Sequence, residues 1–469
     1  MEGIEHVWSS LGGAPAALSG TSVVLRPGAL RARLPVREAA RACVGACALA
    51  AAELAGLRAG LARPPAVRID DGAVATAFTS ERHLRVDGRE PVNFAPLSRW
   101  WQTGDGRLRT HANYPHHRER LLAALGVPGD VDAVGAALAR WSAAEAEEAV
   151  YAAGGLAVAS RTPREWATSV QGAAVRSRPL VERGRLGRAP AREFTPLGGP
   201  VLLPAAGIRV LDLTRVVAGP VATRTLALLG ADVLRLDPPA LPELPDQHAD
   251  TGFGKRSATL DLASGRAAFD ELLAGADVVV TGYRPDALDR FGLSPRALAE
   301  RRPGLVVAQL SAWGAHGPWA RRRGFDSLVQ AASGIAVAES SEYGEGAEGG
   351  GRRPGVLPAQ ALDHGTGYLL AAGVLRALTE QSRDGGSRFL RLSLARTAAW
   401  LMDEVPPDTP DRTRGAGTAE YTGPGPWLAE RDSPLGRLRY ALPPVSFAGG
   451  PADWARPPGP WGADPAAWR

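Results

Sequence analysis

The stretch GIRVLDLTRVVAGP, from Gly207 to Pro220, decides the fold of this chain. Its apolar run ends at a Gly-Pro break, and the helical segment VATRTLALLG then leads to a second apolar run that ends at Asp237. Strand, turn, helix and strand in this order form the repeating unit of a doubly wound α/β domain. The later runs DVVVTGY, from Asp277, and GLVVAQLSAWG, from Gly304, are typical of strands buried on both faces. We therefore expect a Rossmann-like parallel sheet.

Several of these segments resemble the family III CoA-transferases, which include the 2-methylacyl-CoA racemases. The resemblance continues in GKRSATLDL from Gly254, in VVVTGYRPDALDRFGL, and in QLSAWGAHGPWARRRGFD. The next matching segment is GVLPAQALDHGTGYLLAAGVLRAL, where the family carries its catalytic aspartate; here that position is Asp363. Because separate motifs agree in order and spacing, the resemblance is far more specific than any one of them.

The resemblance implies a reaction at Asp363. In resembling proteins this carboxylate attacks an acyl-CoA thioester, an aspartyl-CoA thioester forms, and an acceptor carboxylate completes the exchange. Acyl-CoA and a small carboxylic acid are then substrates, and no cofactor or metal is expected to be bound. Gly365 and Gly367 would let backbone amides approach the developing oxyanions. Judged by its own position, Asp363 is equally well explained as a helix N-cap.

The resemblance also implies a coenzyme A site at the carboxyl ends of the strands, where open α/β sheets bind ligands. The expected contacts are Val216, Val217, Ala218, Lys255, Arg256, Leu260, Gly282, Tyr283 and Arg290, with Leu260 near the adenine and Arg290 near a phosphate. Taken singly, each arginine is better explained as a solvated surface charge, and the glycine before Pro220 equally well as part of a tight turn. Neither G-x-G-x-x-G nor a P-loop is present, which argues against a nicotinamide-dependent enzyme.

Two other functions remain open. The racemase branch uses the same aspartate as a base, with a histidine partner in a G-H-D motif that reads Gly324-Phe325-Asp326 here. Phenylalanine cannot transfer a proton, so this departure favours a transferase unless the fold brings His316 or His364 close to the site. A non-catalytic CoA-binding subunit is the second alternative, motivated by the degenerate first copy described next and by the lack of a full small domain after Leu401.

The chain is predicted to combine two copies in a fused or permuted order. Residues 35–80 share a pattern of helix, strand and small-residue helix with residues 358–402, so Glu38 would hold the position of Asp363. A surface glutamate at a helix end is the more frequent explanation of Glu38. The predicted units are 1–85, a degenerate copy of the end of the large domain; 86–178, a small α+β domain; 179–204, a linker; 205–402, the Rossmann-like large domain; and 403–469, a Pro/Gly-rich C-terminal return segment.

Composition limits the remaining function classes. The formal net charge is +5, and arginines are scattered along the chain, which predicts no nucleic-acid-binding face. Cys43 and Cys47 lie four residues apart in an Ala-rich segment and are expected to pack in a core.

We expect no membrane-spanning run and no export signal, hence a cytoplasmic protein. The resemblance implies a homodimer. His111, His116 and His117 are interpreted as exposed or helix-start residues rather than metal ligands.

Overall fold

The computed structural model describes residues 1–341, 353–407 and 418–469. Residues 342–352 and 408–417, which fall within the predicted large domain and return segment, lie outside the described residues. The strands are β1 Thr21–Val24, β2 Val67–Asp70, β3 Arg85–Val86, β4 Trp100–Gln102, β5 Arg107–Thr110, β6 Ala157–Ala159, β7 Glu182–Gly187, β8 Arg209–Leu213, β9 Asp232–Asp237, β10 Arg256–Thr259, β11 Val278–Thr281, β12 Val306–Ser311, β13 Ser387–Ser393, β14 Leu428–Ser433 and β15 Gly436–Ala441.

The α-helices vary from single turns to the long helices of the core. They are α1 Glu2–Ser10, α2 Val36–Arg58, α3 Asp71–Phe78, α4 Ser80–His83, α5 Pro115–Leu125, α6 Val131–Leu138, α7 Ala143–Ala152, α8 Pro163–Thr168, α9 Val170–Arg176, α10 Ala218–Leu228, α11 Pro245–Thr251, α12 Arg266–Gly275, α13 Pro295–Arg301, α14 Asp326–Ser333, α15 Ile335–Ala338, α16 Ala361–Asp384 and α17 Leu394–Asp403.

The centre of the molecule is a seven-stranded sheet with the order β10-β9-β8-β11-β12-β13-β7. Strands β8 to β13 are parallel to their neighbours, and only β7 is antiparallel. The chain builds outward from β8 to β10 and then returns to β11, beside β8, before building the other half. This is the strand order of a doubly wound Rossmann-like sheet, so the predicted fold class is confirmed.

The sheet is buried on both faces, as its β-branched strands predict. Val278 and Val280 of β11 belong to the main apolar core, while Val279 between them belongs to a second core on the opposite face. Side chains alternate between the faces because successive residues of a strand point in opposite directions. Helices α2, α10 and α16 pack in the main core, and α12 and α13 cover the other face.

Helix α2 is an exception to the expectation that no segment is suited to a membrane. Among the described residues it is the one helix long and apolar enough to cross a bilayer by length and composition. In the structure, 89% of its apolar window is buried, and the helix packs against α16. Its apolarity is therefore accounted for by its place in the core.

A second, smaller unit surrounds the antiparallel sheet β4-β5-β6. The expected hairpin joins β4 and β5, and α5, α6 and α7 close a separate apolar core around Trp101 and Leu108. The predicted linker 179–204 needs a correction, because Glu182–Gly187 forms the edge strand β7. Its Gly- and Arg-rich sequence has a weak strand propensity, and pairing with β13 overrides that propensity.

The two ends of the chain meet in a third sheet. Strands β14 and β15 pair with each other, and β15 also pairs with β3 from the N-terminal region. Residues 442–469 have little regular structure but are packed, with Trp454 against Phe253 and Tyr440 and with Trp468 against the second core.

Candidate active site

A cleft of about 1000 Å³, here called the main cleft, lies at the sheet's point of reversal. Arg215 and Val216, which follow β8, line it together with Gly282 and Tyr283, which follow β11. Neighbouring strands that lead outward in opposite directions leave a crevice at their carboxyl ends, and this is where such sheets bind ligands. The fold therefore positions the site expected from the sequence.

Asp363 lines the main cleft from the first turn of α16. The residue is only 7% exposed, and its backbone N–H donates to Asp326 Oδ2 at 2.9 Å. The N-cap position of α16 belongs to Gln360, so the explanation of Asp363 as a capping residue is wrong. Its carboxylate makes no hydrogen bond or ion pair with any other described residue and is available to a ligand.

The electrostatic environment of Asp363 is unfavourable to its negative charge. Burial, followed by the nearby carboxylates of Asp326 and Glu81, raises the pKa of Asp363 well above its usual value. Burial likewise raises the pKa of Asp326 to about 6, although hydrogen bonds from Gln330 and from backbone amides oppose this. A desolvated carboxylate without a countercharge is a strong nucleophile or base once it is ionised.

The loop after β8 is held in a strained conformation. Val216 has φ 72°, which is unfavourable for a β-branched residue, and its N–H donates to Glu243 Oε2 at 3.0 Å. Glu243 also accepts from Arg235 at 2.8 Å and from the hydroxyl of Tyr114. Although burial opposes it, Arg235 and Arg215 lower the pKa of Glu243 to about 2. A permanently charged Glu243 thus fixes the loop that carries Val216.

Helix α10 begins at this loop, and Ala218 in its first turn lines the main cleft. The first backbone N–H groups of a helix have no partner within the helix and favour negative charge nearby. Gly219 is required for the turn, because a Cβ there would lie 2.3 Å from the Thr214 Cβ.

Gly365 and Gly367 do not have the predicted role. A Cβ on Gly367 would lie 2.5 Å from the carbonyl oxygen of Ala218, and one on Gly365 would lie 3.5 Å from Cys43 Sγ. Gly367 therefore allows α16 to pack closely against α10, whereas Gly365 lies at an ordinary contact distance from α2.

A second cleft, here called the outer cleft, adjoins the main cleft and has a volume of about 1550 Å³. Leu260 and Arg290 line it, as the sequence predicts, and Tyr283, Arg284 and Arg323 line both clefts. Within residues 1–341, 353–407 and 418–469, the side chains of Arg284, Arg290 and Arg323 form no ion pair. Cations without countercharges attract an anionic ligand.

Two predicted coenzyme A contacts are placed elsewhere. Lys255 is 4% exposed and its Nζ lies 3.0 Å from Asp212 Oδ2, while Arg256 lies 2.9 Å from Asp232. Neither residue lines the main or the outer cleft. Burial lowers the pKa of Lys255 to about 8, with Asp212 opposing. The sequence shows two cations after a glycine but not the carboxylates of β8 and β9 that neutralise them.

Val217, the remaining predicted contact, lines a third cavity of about 490 Å³, here called the side chamber. Val216 and Ala218 on either side of it line the main cleft. Asp363 and Val216 line both the side chamber and the main cleft.

The structure adds residues of the small unit that the sequence did not assign to the site. Tyr114, His116 and His117 line the main cleft. His111 and His117 are each 5% exposed, so neither is a surface residue, whereas His116 and His117 lie in the first turn of α5, as the helix-start interpretation expects. In the sequence, these histidines are marked only by the cluster THANYPHH. Their contact with the large sheet could not be predicted, because it joins residues that are far apart in the chain.

These histidines surround the residue that replaces the racemase histidine. The ring of His111 stacks on Phe325 with centroids 3.8 Å apart, and His117 meets the edge of the same ring. Burial lowers the pKa of His111 to about 3 and that of His117 to about 2, so both are neutral.

The other two histidines considered from the sequence lie in different surroundings. His364 is within 3.3 Å of Glu81 and stacks on Phe78, and His316 lies 3.6 Å from Glu182. Neither lines the main cleft, so neither replaces the missing racemase histidine. In the described part of the chain, no group of three or more His, Cys, Asp or Glu side chains is arranged to hold a metal ion.

Comparison with known proteins connects this site to a family. Residues 205–424 match the model of CoA-transferase family III. An acetyl-coenzyme A transferase of Hypoxylon pulicicidum is 34% identical over 209 residues, which cover 43% of this chain and 34% of that protein. A formyl-CoA:oxalate CoA-transferase of Streptomyces coelicolor is 33% identical over 201 residues, which cover 40% of this chain and 47% of that protein.

A probable fatty acyl-CoA transferase of Mycobacterium tuberculosis is 32% identical over 214 residues, which cover 42% of this chain and 52% of that protein. A crystal structure of the mycobacterial protein matches with a TM-score of 0.38 and 33% identity, over 43% of this chain and 56% of that one. The chain spans between about a third and about half of the length of the curated relatives named here. The part of the chain that matches CoA-transferase family III, residues 205–424, includes the reversal point of the sheet and Asp363.

Proposed function

We propose that this chain is a CoA-transferase that moves CoA between an acyl-CoA and a small carboxylic acid, with Asp363 as the nucleophile. The observation that carries the proposal is the carboxylate of Asp363, which is buried, has no countercharge among the described residues and lines the main cleft. The three relatives described above are named as transferases of acetyl-coenzyme A, fatty acyl-CoA or formyl-CoA. Their names support an acyl-CoA substrate for this chain.

The outer cleft suits the nucleotide end of coenzyme A. Arg284, Arg290 and Arg323 provide positive charge for its phosphates, and Leu260 and Phe291 provide apolar surface for its adenine. Tyr283 lines both clefts, so the pantetheine arm would pass it on the way to Asp363. Lys255 and Arg256 are left out of this site because buried ion pairs engage them.

The proposed transfer proceeds through covalent intermediates on Asp363. The Asp363 carboxylate attacks the thioester carbonyl, the C–S bond breaks, and a mixed anhydride and the CoA thiolate are formed. The thiolate then attacks the aspartyl carbonyl of the anhydride, which releases the first acid as a carboxylate and leaves an aspartyl-CoA thioester. The acceptor carboxylate repeats both steps in reverse order, which forms the new acyl-CoA and restores Asp363.

The surroundings of Asp363 support each step. Desolvation and the charge of Asp326 destabilise the ionised carboxylate, and attack on the thioester relieves this repulsion as the charge moves to the thiolate. The backbone amides at the start of α10 would face the oxyanion that develops on the attacked carbonyl. The hydrogen bond from the Asp363 N–H to Asp326 fixes the first turn of α16 during the reaction.

The small unit is part of the proposed enzyme, because Tyr114, His116 and His117 line the same cleft as Asp363 within one chain. We propose a cytoplasmic homodimer that uses coenzyme A as a substrate and needs no bound cofactor. Light scattering coupled to size-exclusion chromatography tests the dimer, and activity of the metal-free, dialysed protein tests the absence of a cofactor.

The decisive experiment is mass spectrometry of the protein after incubation with a panel of acyl-CoAs. We expect an aspartyl-CoA adduct that hydroxylamine removes, located on Asp363 and missing in Asp363→Asn. Exchange of the acyl α-proton with deuterated solvent without an adduct would instead establish Asp363 as the base of a racemase, a role its raised pKa also suits. Coenzyme A binding with neither signal would establish a non-catalytic CoA-binding subunit.

A further inference from the structure

The side chamber lies next to the proposed nucleophile and has no role in binding the nucleotide. Asp363, Val216 and Phe325 line both this chamber and the main cleft, so the Asp363 carboxylate stands where the two cavities meet. A thioester bound for attack has CoA on one side of its carbonyl carbon and the acyl group on the other. With CoA in the main and outer clefts, the side chamber is the space left for the acyl group.

Two buried polar groups of the chamber have no partner. His111 is 5% exposed, and its buried ring atom Nδ1 forms no hydrogen bond within the described part of the chain. Ser327 is 8% exposed, and its hydroxyl also has no partner there. Buried polar groups are normally hydrogen-bonded, and an unpaired one is costly, so both point to an occupant with a polar group of its own.

The charge of the chamber excludes a negatively charged polar group on the occupant. Glu81, Asp326 and Asp363 all contribute carboxylates to its lining. The one arginine of the lining, Arg82, lies 3.8 Å from Glu81 and is already engaged. A second carboxylate on the acyl group would therefore meet like charges in a partly desolvated space.

The same walls limit the length of the acyl chain that the side chamber can hold. Phe94, Phe325 and Val217 offer apolar surface, but amide side chains interrupt it, including those of Gln247 and Gln360. A long alkyl chain would cover these polar groups without pairing them, which is unfavourable. A short chain fits the apolar part alone.

We propose that the side chamber holds the acyl group of the substrate and selects a short acyl chain that carries a hydroxyl group and no second carboxylate. This inference rests on the proposed function. The substrate hydroxyl pairs with His111 and Ser327, and the first carbons of the chain pack against Phe325.

The test compares kcat/KM for 3-hydroxybutyryl-CoA, butyryl-CoA, succinyl-CoA and palmitoyl-CoA, with acetate as the acceptor. We expect 3-hydroxybutyryl-CoA to exceed butyryl-CoA by about tenfold, which is the size of the effect of one or two buried hydrogen bonds. We expect succinyl-CoA and palmitoyl-CoA to be the poorest substrates.

Variants assign the preference to the chamber. His111→Phe keeps a ring stacked on Phe325 but removes both nitrogens, and Ser327→Ala removes the hydroxyl. Each should lower kcat/KM for 3-hydroxybutyryl-CoA several-fold and leave that for butyryl-CoA nearly unchanged. The matched control is His117→Phe, on the main-cleft side of Phe325, which should preserve the ratio of the two substrates.

The outcomes separate this inference from the proposed function. An adduct on Asp363 together with a preference for palmitoyl-CoA or succinyl-CoA would overturn the chamber assignment alone. So would a hydroxyl preference that persists in both His111→Phe and Ser327→Ala. If no acyl-CoA of the panel gives an adduct or turnover, the proposed function fails, and this inference fails with it.

Discussion

The two helix–strand–helix units of the chain, α2-β2-α3 and α16-β13-α17, place a carboxylate at the same point. Glu38 is the third residue of α2, and Asp363 is the third residue of α16. Both side chains are nearly buried, at 6% and 7% exposure, and the two helices pack against each other. The prediction that Glu38 is a surface residue is therefore wrong, although its expected correspondence to Asp363 in the helix holds.

The two carboxylates differ in what surrounds them. Glu38 is ion-paired with Arg41, which also binds Asp71 at 2.7 Å. Asp363 has no cation at contact distance among the described residues, and Asp326 and Glu81 add like charge. Burial alone thus does not make a carboxylate reactive. The presence or absence of one arginine separates a structural acid from a reactive one.

The scaffold adds to this difference. Strand β13 lies in the large sheet, so α17 and the start of α16 are near the carboxyl ends that form the main cleft. Strand β2 pairs only with β1 among the described strands, in a two-stranded sheet. The N-terminal unit thereby keeps the helical packing of the C-terminal one without the sheet edge that binds ligands.

The largest effect is expected when Asp363, the reactive carboxylate of the Glu38–Asp363 comparison, is replaced. Asp363→Asn should lower CoA transfer by at least about 10⁴-fold, because no other group can form the covalent intermediate. The control is Glu38→Gln, which should retain transfer within a few-fold while the protein is folded. The measurement is the rate of CoA transfer by each purified variant. Comparable losses in both variants would contradict the conclusion that Asp363 is reactive and Glu38 structural.

The second prediction concerns the arginine that distinguishes the units. Arg41→Met removes a cation shared by two buried carboxylates and should destabilise the fold by about 3–5 kcal/mol, as breaking a buried ion pair does. Denaturant unfolding measures this free energy. Arg296→Met removes an exposed pair with Glu300 and should have almost no effect. Equal midpoints for the two variants would show that the Arg41 cluster contributes nothing to stability.

The third prediction tests how closely α16 is packed on each side. Gly367→Ala should destabilise the protein by about 1–3 kcal/mol, because its Cβ would lie 2.5 Å from the Ala218 carbonyl. Gly365→Ala faces Cys43 at an ordinary contact distance of 3.5 Å and should be neutral or stabilising by up to about 1 kcal/mol. The melting temperatures of the two variants test this prediction. A lower melting temperature for Gly365→Ala than for Gly367→Ala would place the tight contact between α16 and α2.

Much of the fold was predictable because it depends on local patterns. Strands β8, β9, β11 and β12 are short runs rich in Val and Leu between turn signals, a pattern that predicts buried strands. The edge strand β7 was not predictable, because its Gly- and Arg-rich sequence reads as a linker and only pairing with β13 makes it a strand.

The site was predictable only where a motif lies on one segment. Asp363, Val216 and Tyr283 follow from the resemblance and line the main cleft. His117 was missed because the contact between the small unit and the large sheet is long-range. Lys255 was assigned to coenzyme A because its partner Asp212 is distant in sequence, although only 3.0 Å away in space.

The last prediction uses the pH dependence of CoA transfer to distinguish Asp363 from Glu38. Asp363 must be ionised to attack, and its pKa is raised, so transfer should decline as the pH falls through the apparent pKa of the Asp326–Asp363 pair. Asp326→Asn removes the neighbouring charge while keeping an oxygen for the Asp363 N–H. The acid limb of kcat/KM should therefore move to lower pH by about one unit.

The raised pKa of Asp363 affects stability in the opposite direction from activity, because stability falls as the pH rises. Because the folded pKa of Asp363 lies above the usual value of 3.8, its favourable contribution is complete below that value and is lost as the pH rises through the folded pKa. Asp326→Asn should therefore raise the melting temperature at pH values above the apparent pKa of the Asp326–Asp363 pair, where both carboxylates would otherwise be charged. Glu38→Gln should leave the acid limb of kcat/KM in place. An acid limb that Glu38→Gln moves, or that Asp326→Asn leaves in place, would assign the titration to another group.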